Sequence, residues 1–414
     1  MSYTLRPYQE EVVKKAFSDL AVSGEKPVLH YLEVGCGKSF IIAELAKRWH
    51  EKGLGKVLLL TLSKELCIQD YDKLCVVAGE EKVGIYSASW KRKETANLTV
   101  ATAQSAYKHP ELWKDYTLVI ADEVDSLSPD GIAGDLYAHK HVYGVTGTPY
   151  STVGSKKGRW FTTKLWPLHK IKSKRYGWYW QPVSYSLSAR QMLEMGYHAP
   201  LKLYSSPINC HLLRLQSNGS EYTVESLERW VRETLMRVVE IMQKAEQSNM
   251  CHCGIVFLPS VEACNLLETE CQKRSISARA IHSKTPDGKR LEIVNSHKSG
   301  ELKWLINMGV CTRGFDNPAV DCLLIARPTG SLRLWHQIEG RGCRLAEGKT
   351  VCNVLDLTEN SKRWGNLTDV EIGKTKTNGF EQDTILLRGK DISGAEVAKI
   401  NLARTRQKNV NELE

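Results

Sequence analysis

The chain is built of short apolar runs that alternate with amphipathic ones. Residues 28–32, 56–62, 98–103, 116–123 and 141–145 are rich in Val, Leu, Ile, Ala and Tyr, the pattern of strands covered on both faces in a parallel sheet. Amphipathic stretches separate them. After the turn at Pro7 a helix is predicted to about residue 20, a second carries Ile42, Leu45, Ala46 and Trp49 at helical spacing, and a third starts at Ser63. Five strands spaced in this way predict an α/β fold with a doubly wound parallel sheet. The alternation resumes later, with helices at 224–247, 261–271 and 290–297 and strands at 254–258, 278–282 and 304–308. Residues 186–203 read as a helix, a turn at Gly196 and a strand that either closes the first unit or bridges to the next. The predicted division is 1–203 for the first domain, 204–223 for a polar linker, 224–360 for the second domain and 361–414 for a charged tail with a short helix near 394–405.

Length agrees with this division, because 414 residues exceed what one core normally serves. Lys plus Arg outnumber Asp plus Glu by 57 to 47, a balance that attracts polyanions. Much of the excess sits in 151–180, which has eight basic residues, seven aromatics and no acidic one. Lys156, Lys157, Arg159, Lys172, Lys174 and Arg175 could track a phosphate backbone while Trp160, Trp166 and Trp178 stack on bases. The same segment also reads as an amphipathic hairpin with its tryptophans, Trp180 among them, packed inward. The twelve cysteines form no CxxC pair, so neither a zinc module nor a disulfide framework is predicted. With no signal-peptide core and no apolar run of spanning length, a soluble protein of a reducing cytoplasm, with no membrane partner, is expected.

The candidate chemistry lies at the ends of the predicted strands. Gly35-Cys36-Gly37-Lys38-Ser39 stands between a strand and a helix, although Leu32 occupies the place of the first glycine of the usual phosphate loop. Backbone N–H groups there would wrap phosphates, with Lys38 reaching the β- and γ-phosphates and Ser39 holding Mg²⁺. Upstream, Gln9 could read adenine through its amide and Arg6 could stack on the base. The strand 116–123 ends in Asp122, suited to the metal, and Glu123, suited to take a proton from the attacking water. Ser63, Lys64, Thr102 and Gln104 follow other strands, where open α/β sheets bind ligands and where helix capping is an equal reading. Further on, Arg341 and Arg344, three apart and so on one side of a helical turn, could neutralise charge on the γ-phosphate.

Taken together these elements resemble a superfamily 2 helicase, across about residues 3–358 and in the family's order. Arg6–Gln9 resembles its adenine-reading element, 35–39 its first motif, Asp122–Asp125 its DExD/H box and Thr146–Pro149 its coupling motif. Thr61–Gln69 and Thr102–Ser105 are similar to its strand-contacting elements, which gives Ser63, Lys64, Thr102 and Gln104 a nucleic-acid role. Residues 312–316 and 337–344 are similar to its fifth and sixth motifs, which gives Thr312 a nucleic-acid role, Gly314 and Asp316 a nucleotide role, and Gln337 a place beside the catalytic arginines. The stretches LRPYQEEVV, GCGKSFIIAELA, GFDNPAVD and QIEGRGCRLAEGKT most resemble RadD-like helicases of bacteria and their phages. The box reads DEVD, with Asp125 where a histidine is common, and the coupling motif reads TGT. The resemblance implies two RecA-like domains flanking an ATP cleft, ATP and Mg²⁺ as cofactors, and a monomer acting on DNA rather than RNA in a bacterial cell or phage-infected host. An RNA helicase, or an ATP-gated annealing factor that does not unwind, would use the same ATP site.

Overall fold

Each apolar run read as a strand in the first half of the chain is one in the computed structural model. The structure describes residues 3–24, 26–127, 140–157, 160–173, 177–214, 216, 221–311, 315–377, 379–394 and 396–401, with side chains for all of these except 154–157, 160–163, 173, 178 and 396–401. Strands β1 (Val28–Leu32), β2 (Lys56–Thr61), β3 (Val83–Ser87), β4 (Arg92–Lys93), β5 (Leu98–Thr102), β6 (Tyr116–Asp122) and β7 (His141–Thr146) come first. Two antiparallel elements follow: β8 (Tyr150–Lys157) with β9 (Trp160–Pro167), and β10 (Lys172–Ser173) with β11 (Gly177–Trp178). Then β12 (Tyr185–Leu187) joins the first sheet, whose order is β12-β1-β7-β6-β2-β5-β3-β4. All pairs but β3 with β4 are parallel. Helices α1 (Pro7–Ser23), α2 (Lys38–Glu51) and α3 (Lys64–Ala78) pack on it. The strands are buried on both faces because helices cover them, which is why they read as continuous apolar runs rather than alternating ones.

The second sheet is wholly parallel. Strands β13 (Leu201–Ser205), β14 (Gly254–Phe257), β15 (Ala278–Ile281), β16 (Trp304–Asn307), β17 (Cys322–Ile325) and β18 (Cys352–Asp356) take the order β13-β18-β17-β14-β16-β15. Its helices α4 (Val224–Gln247), α5 (Val261–Lys273), α6 (Asp287–Ser299) and α7 (Leu332–Glu339) complete the unit. Thr223, Ser260 and Ser331 start three of them by accepting backbone N–H groups on their hydroxyls. Trp230, Trp304, Val256, Leu267 and Leu324 lie in the main core of this sheet.

The chain divides into its two units differently from the sequence expectation. The first comprises Met1–Ser151, Trp166–Ser188 and Ile372–Ile385; the second comprises Thr152–Leu165, Ala189–Glu371 and Leu386–Glu414. Residues 189–203 therefore belong with the second sheet, because β13 pairs with β18 from Leu201↔Cys352 to Ser205↔Asp356. As a half-exposed edge strand it carries no strong apolar signal. The expected linker at 204–223 is also part of that unit. Ile208, Leu212 and Leu213 pack against its core, and Trp230 Nε1 donates to the Ile208 carbonyl at 2.6 Å.

The described part of 361–414 is not simply a tail. Strands β19 (Val370–Thr377) and β20 (Phe380–Leu387) form a hairpin, with β21 (Lys390–Asp391) beside β20, and β22 (Glu396–Asn401) pairs with β9 where a short helix was expected. Asp383 on β20 is buried in the first unit. It accepts from Val183 N at 2.9 Å and pairs with Lys374 Nζ at 2.6 Å and His169 Nδ1 at 3.2 Å. Burial works against its charge, yet these three partners hold the carboxyl below the ordinary range. A charged segment thus folds because its charges find buried partners, which composition alone does not reveal.

Candidate nucleotide site

The first unit builds its site at the carboxyl ends of β1, β2 and β6. Gly35 and Gly37 have φ of 86° and 77°, a left-handed conformation in which glycine carries no Cβ penalty, so the loop can turn its N–H groups to one side. The Cys36 side chain points inward and is fully buried; burial pushes its thiol up to about 12, so it stays protonated. Its carbonyl accepts from Tyr8 Oη at 2.8 Å and from Gln9 Nε2 at 3.2 Å, while Gln9 Oε1 accepts from Arg6 N at 2.9 Å. Gln9 is therefore locked to the phosphate loop. A Cβ on Gly37 would come within 2.6 Å of its amide nitrogen. Arg6 itself is exposed.

Lys38, first residue of α2, reaches Glu123 Oε1 at 3.4 Å and the Leu32 carbonyl at 3.3 Å. Burial opposes its charge, but Glu123, Cys36, Asp122 and Glu33 together raise it above the usual lysine value. Glu123 stands at φ 50°, ψ 51°, a left-handed conformation costing a non-glycine residue about 1–2 kcal/mol. Strain of this kind is held where the surroundings over-determine a side chain's aim. Asp122 is buried, and its Oδ1 has no hydrogen-bond partner. Burial, followed by the charges of Asp70 and Glu123, raises its carboxyl well above the ordinary range. Ser39 Oγ, at the start of α2, accepts from Gln69 Nε2 at 3.1 Å.

A buried carboxylate oxygen without a donor, close to a phosphate loop, fits a divalent cation better than it fits any group of the chain. Ser39 and Asp122 would hold it. Among the described residues no three His, Cys, Asp or Glu side chains converge into a metal cage, and magnesium bound with a nucleotide needs none, since it keeps water and phosphate ligands. The coupling motif touches the same site. Thr146 Oγ1 donates to Asp125 Oδ1 at 2.7 Å and accepts from Thr148 N at 3.0 Å, and a Cβ on Gly147 would lie 2.9 Å from Val34 Cγ2 and 3.3 Å from Lys38 Nζ. An aspartate in the fourth place of the box thus makes the contact to the coupling motif directly. Asp70 on α3, absent from the predicted set, is 1% exposed and pushed up to about 7 by burial above all, with Glu123 adding to it and Ser39 easing it. Its signal in the sequence is only a polar residue on the apolar face of a helix.

The strand-end residues divide. Ser63 caps α3 by accepting from Leu66 N at 3.3 Å, and Lys64 follows it at the helix start. Thr102 turns inward, donating to Ser105 Oγ at 2.8 Å, whereas Gln104 is exposed. In the basic aromatic segment Trp180 is buried against the first core, where a Cβ on Gly144 would strike its ring at 2.5 Å. Leu165, Leu168 and His169 are buried too, while Lys164 and Lys172 are exposed and Trp166 is half-buried. One face of the segment is structural and another carries charge. Arg159, Lys174 and Arg175 lie outside the described residues, and Lys156, Lys157, Trp160 and Trp178 are described in backbone only.

In the second unit Arg341 and Arg344 follow α7 in a turn rather than sharing a helix face, because α7 ends at Glu339. Both guanidiniums reach the Phe315 carbonyl, at 2.7 and 3.1 Å, and Arg344 pairs with exposed Asp316 at 2.5 Å. Gln337 is buried on α7. The two late motifs are thereby brought together. Thr312 and Gly314 lie outside the described residues.

Comparison with known proteins agrees with this arrangement. Residues 2–151 match the family described as the res subunit of type III restriction enzymes, and residues 232–346 match the helicase conserved C-terminal domain. A 51.5 kDa protein of a Lactococcus phage is 25% identical over 339 residues, covering 80% of this chain and 64% of that protein. IRC3 of Saccharomyces cerevisiae, described as a candidate ATP-dependent helicase, is 23% identical over 363 residues, or 85% of this chain and 51% of IRC3. The chain thus spans between half and two thirds of these relatives. A solved fragment of a candidate HsdR subunit of a type I restriction enzyme from Vibrio vulnificus superposes with a TM-score of 0.62 at 19% identity, over 88% of this chain and 66% of that one. The fold is that of two RecA-like α/β domains. Among the described residues no helix is long and apolar enough to cross a membrane.

Proposed function

We propose that this chain, which carries the two domains of a superfamily 2 helicase and with them the ATP-hydrolysing helicase core, is a motor that spends ATP to move on or remodel DNA. The observation that carries the reading is the meeting of Lys38 and Ser39, at the start of α2, with Asp122 and Glu123, at the end of β6, with an orphaned carboxylate oxygen and a base held in a strained conformation. Backbone N–H groups of 35–39 and the start of α2 bind the phosphates. Lys38 holds the terminal phosphate oxygens once nucleotide competes with Glu123 for it. Glu123 is then free to accept the proton of the attacking water at Oε1 or Oε2. Mg²⁺, held by Ser39 and Asp122, would neutralise phosphate charge as the bond to the γ-phosphate breaks. Gln9 and Arg6 select and stack the base. Arg341 and Arg344, with Gln337 beside them, are assigned to the charge that builds on the transferred phosphoryl group.

The motif stretches quoted above support a RadD-like position within the superfamily, and the phage relative supports a phage or bacterial setting. DNA is favoured as the polymer, and a monomer as the working form. Steady-state ATPase without polymer, and with single-stranded DNA, forked DNA and structured RNA, tests this, with Glu123→Gln as the control. DNA should stimulate turnover, and the control should lose about 10²- to 10⁴-fold, the usual worth of a positioned general base. Stimulation by RNA alone would move the protein to the RNA helicases. Turnover indifferent to every polymer would overturn the motor reading, as would a control as active as the parent protein.

A further inference from the structure

One carboxylate of the site has no part in the mechanism above. Asp70 lies on α3 next to Gln69, whose amide donates to Ser39 Oγ. It is buried, and neither of its oxygens meets a donor in hydrogen-bond geometry, although the Ser39 hydroxyl is close enough to favour its charge. Lys38, the cation of the site, is already engaged by Glu123 and the Leu32 carbonyl. Asp122 Oδ1 is orphaned in the same way, and of all neighbouring charges Asp70 acts on it most strongly.

Two buried carboxyl groups that act on one another, one with both oxygens and the other with Oδ1 lacking a donor, are expensive unless something positive comes between them or close to them. A hydrated divalent cation answers both, because its bound waters are strong donors. We propose that Asp70 is a positioning residue for the cation of the ATP site, accepting hydrogen bonds from the cation's water shell. Magnesium bound with a nucleotide keeps several waters, so the contact is made through water rather than by direct ligation. This rests on the nucleotide-site reading. The consequence is a site in which affinity for the divalent ion, rather than for the nucleotide, depends on α3.

The test is a Mn²⁺ titration of the full chain in the presence of ADP, followed by electron paramagnetic resonance, comparing the parent protein with Asp70→Asn and, in case that variant folds poorly, Asp70→Ser. Thermal unfolding in EDTA is measured alongside. A positioning role predicts Mn²⁺ affinity at least tenfold weaker in the variants, unfolding temperature in EDTA equal or higher because a buried like charge has gone, and metal-free ADP affinity unchanged. Mn²⁺ affinity within twofold of the parent overturns the proposal, whatever the thermal shift, and leaves the nucleotide-site reading standing. A parent protein that binds no Mn²⁺ with ADP overturns both.

Discussion

Acidification should loosen the second sheet, because His297 has no room for a second proton. The ring is fully buried on α6. Its Nε2 lies 3.0 Å from the Gly254 carbonyl and its Nδ1 lies 3.1 Å from Asn317 Nδ2, so Nε2 donates and Nδ1 accepts. A proton on Nδ1 would meet a donor. Burial lowers the group from its ordinary value to about 4, with the Gly254 carbonyl working in the opposite direction. Since the folded value lies below the unfolded one, the stabilisation is complete above about pH 6.5 and is lost as pH falls towards the folded value. The fall from about 6.5 to about 4 corresponds to about 3 kcal/mol in all, and at about pH 4.5 to roughly 2.5 kcal/mol. Gly254 begins β14, a central strand, so the loss is local to that sheet. Hydrogen exchange with mass spectrometry on peptides covering Gly254–Phe257, corrected for intrinsic rates, should show protection falling by a factor of roughly 50–100 between about pH 7 and pH 4.5. His297→Gln should flatten that dependence. Protection of β14 that is equally steep in the variant, or flat in the parent protein, would refute the argument.

Two further outcomes follow from contacts of the first unit. Thr146→Val removes a 2.7 Å hydrogen bond to Asp125, worth about 1.5–3 kcal/mol when the acceptor is charged; basal ATP turnover should survive while strand displacement per ATP hydrolysed falls, and losses in equal proportion would refute a coupling role. Deleting the whole basic aromatic segment would strip buried Leu165, Leu168 and Trp180 from the protein, so its nucleic-acid role is better tested by Lys164→Ala with Lys172→Ala. The double variant should weaken DNA binding several-fold and flatten its salt dependence with nucleotide affinity unchanged, and an unaltered salt slope measured by fluorescence anisotropy would retire the role.

The alternation of apolar and amphipathic runs was sufficient to mark β1, β2, β5, β6 and β7 of the first sheet and β14, β15 and β16 of the second, since strands covered on both faces must be apolar throughout, whereas β3, β17 and β18 were not read from it. The loop 35–39 and the Asp122–Glu123 pair were legible as candidates for a related reason: the glycines, the lysine and the carboxylates are contiguous or nearly so, and each type suits phosphate and metal chemistry at that spacing. Residues whose role depends on folding were not legible. Asp70 acquires meaning only when α3 brings it beside Ser39, Asp383 only when the C-terminal hairpin buries it against Val183, and the strand read at the end of 186–203 finds its sheet only when a parallel partner about 150 positions away in sequence claims it. The basic aromatic segment shows both sides at once, its charge visible in composition and its inward tryptophan decided by Gly144 beneath the ring. Local chemistry is written in consecutive side chains, whereas burial and pairing between distant segments are set by the packing of the whole chain. The pattern of residues therefore determined the central strands and helices of both units and the candidate residues for phosphate, and the tertiary structure alone decided which distant segments pair and which of the remaining polar groups are buried together.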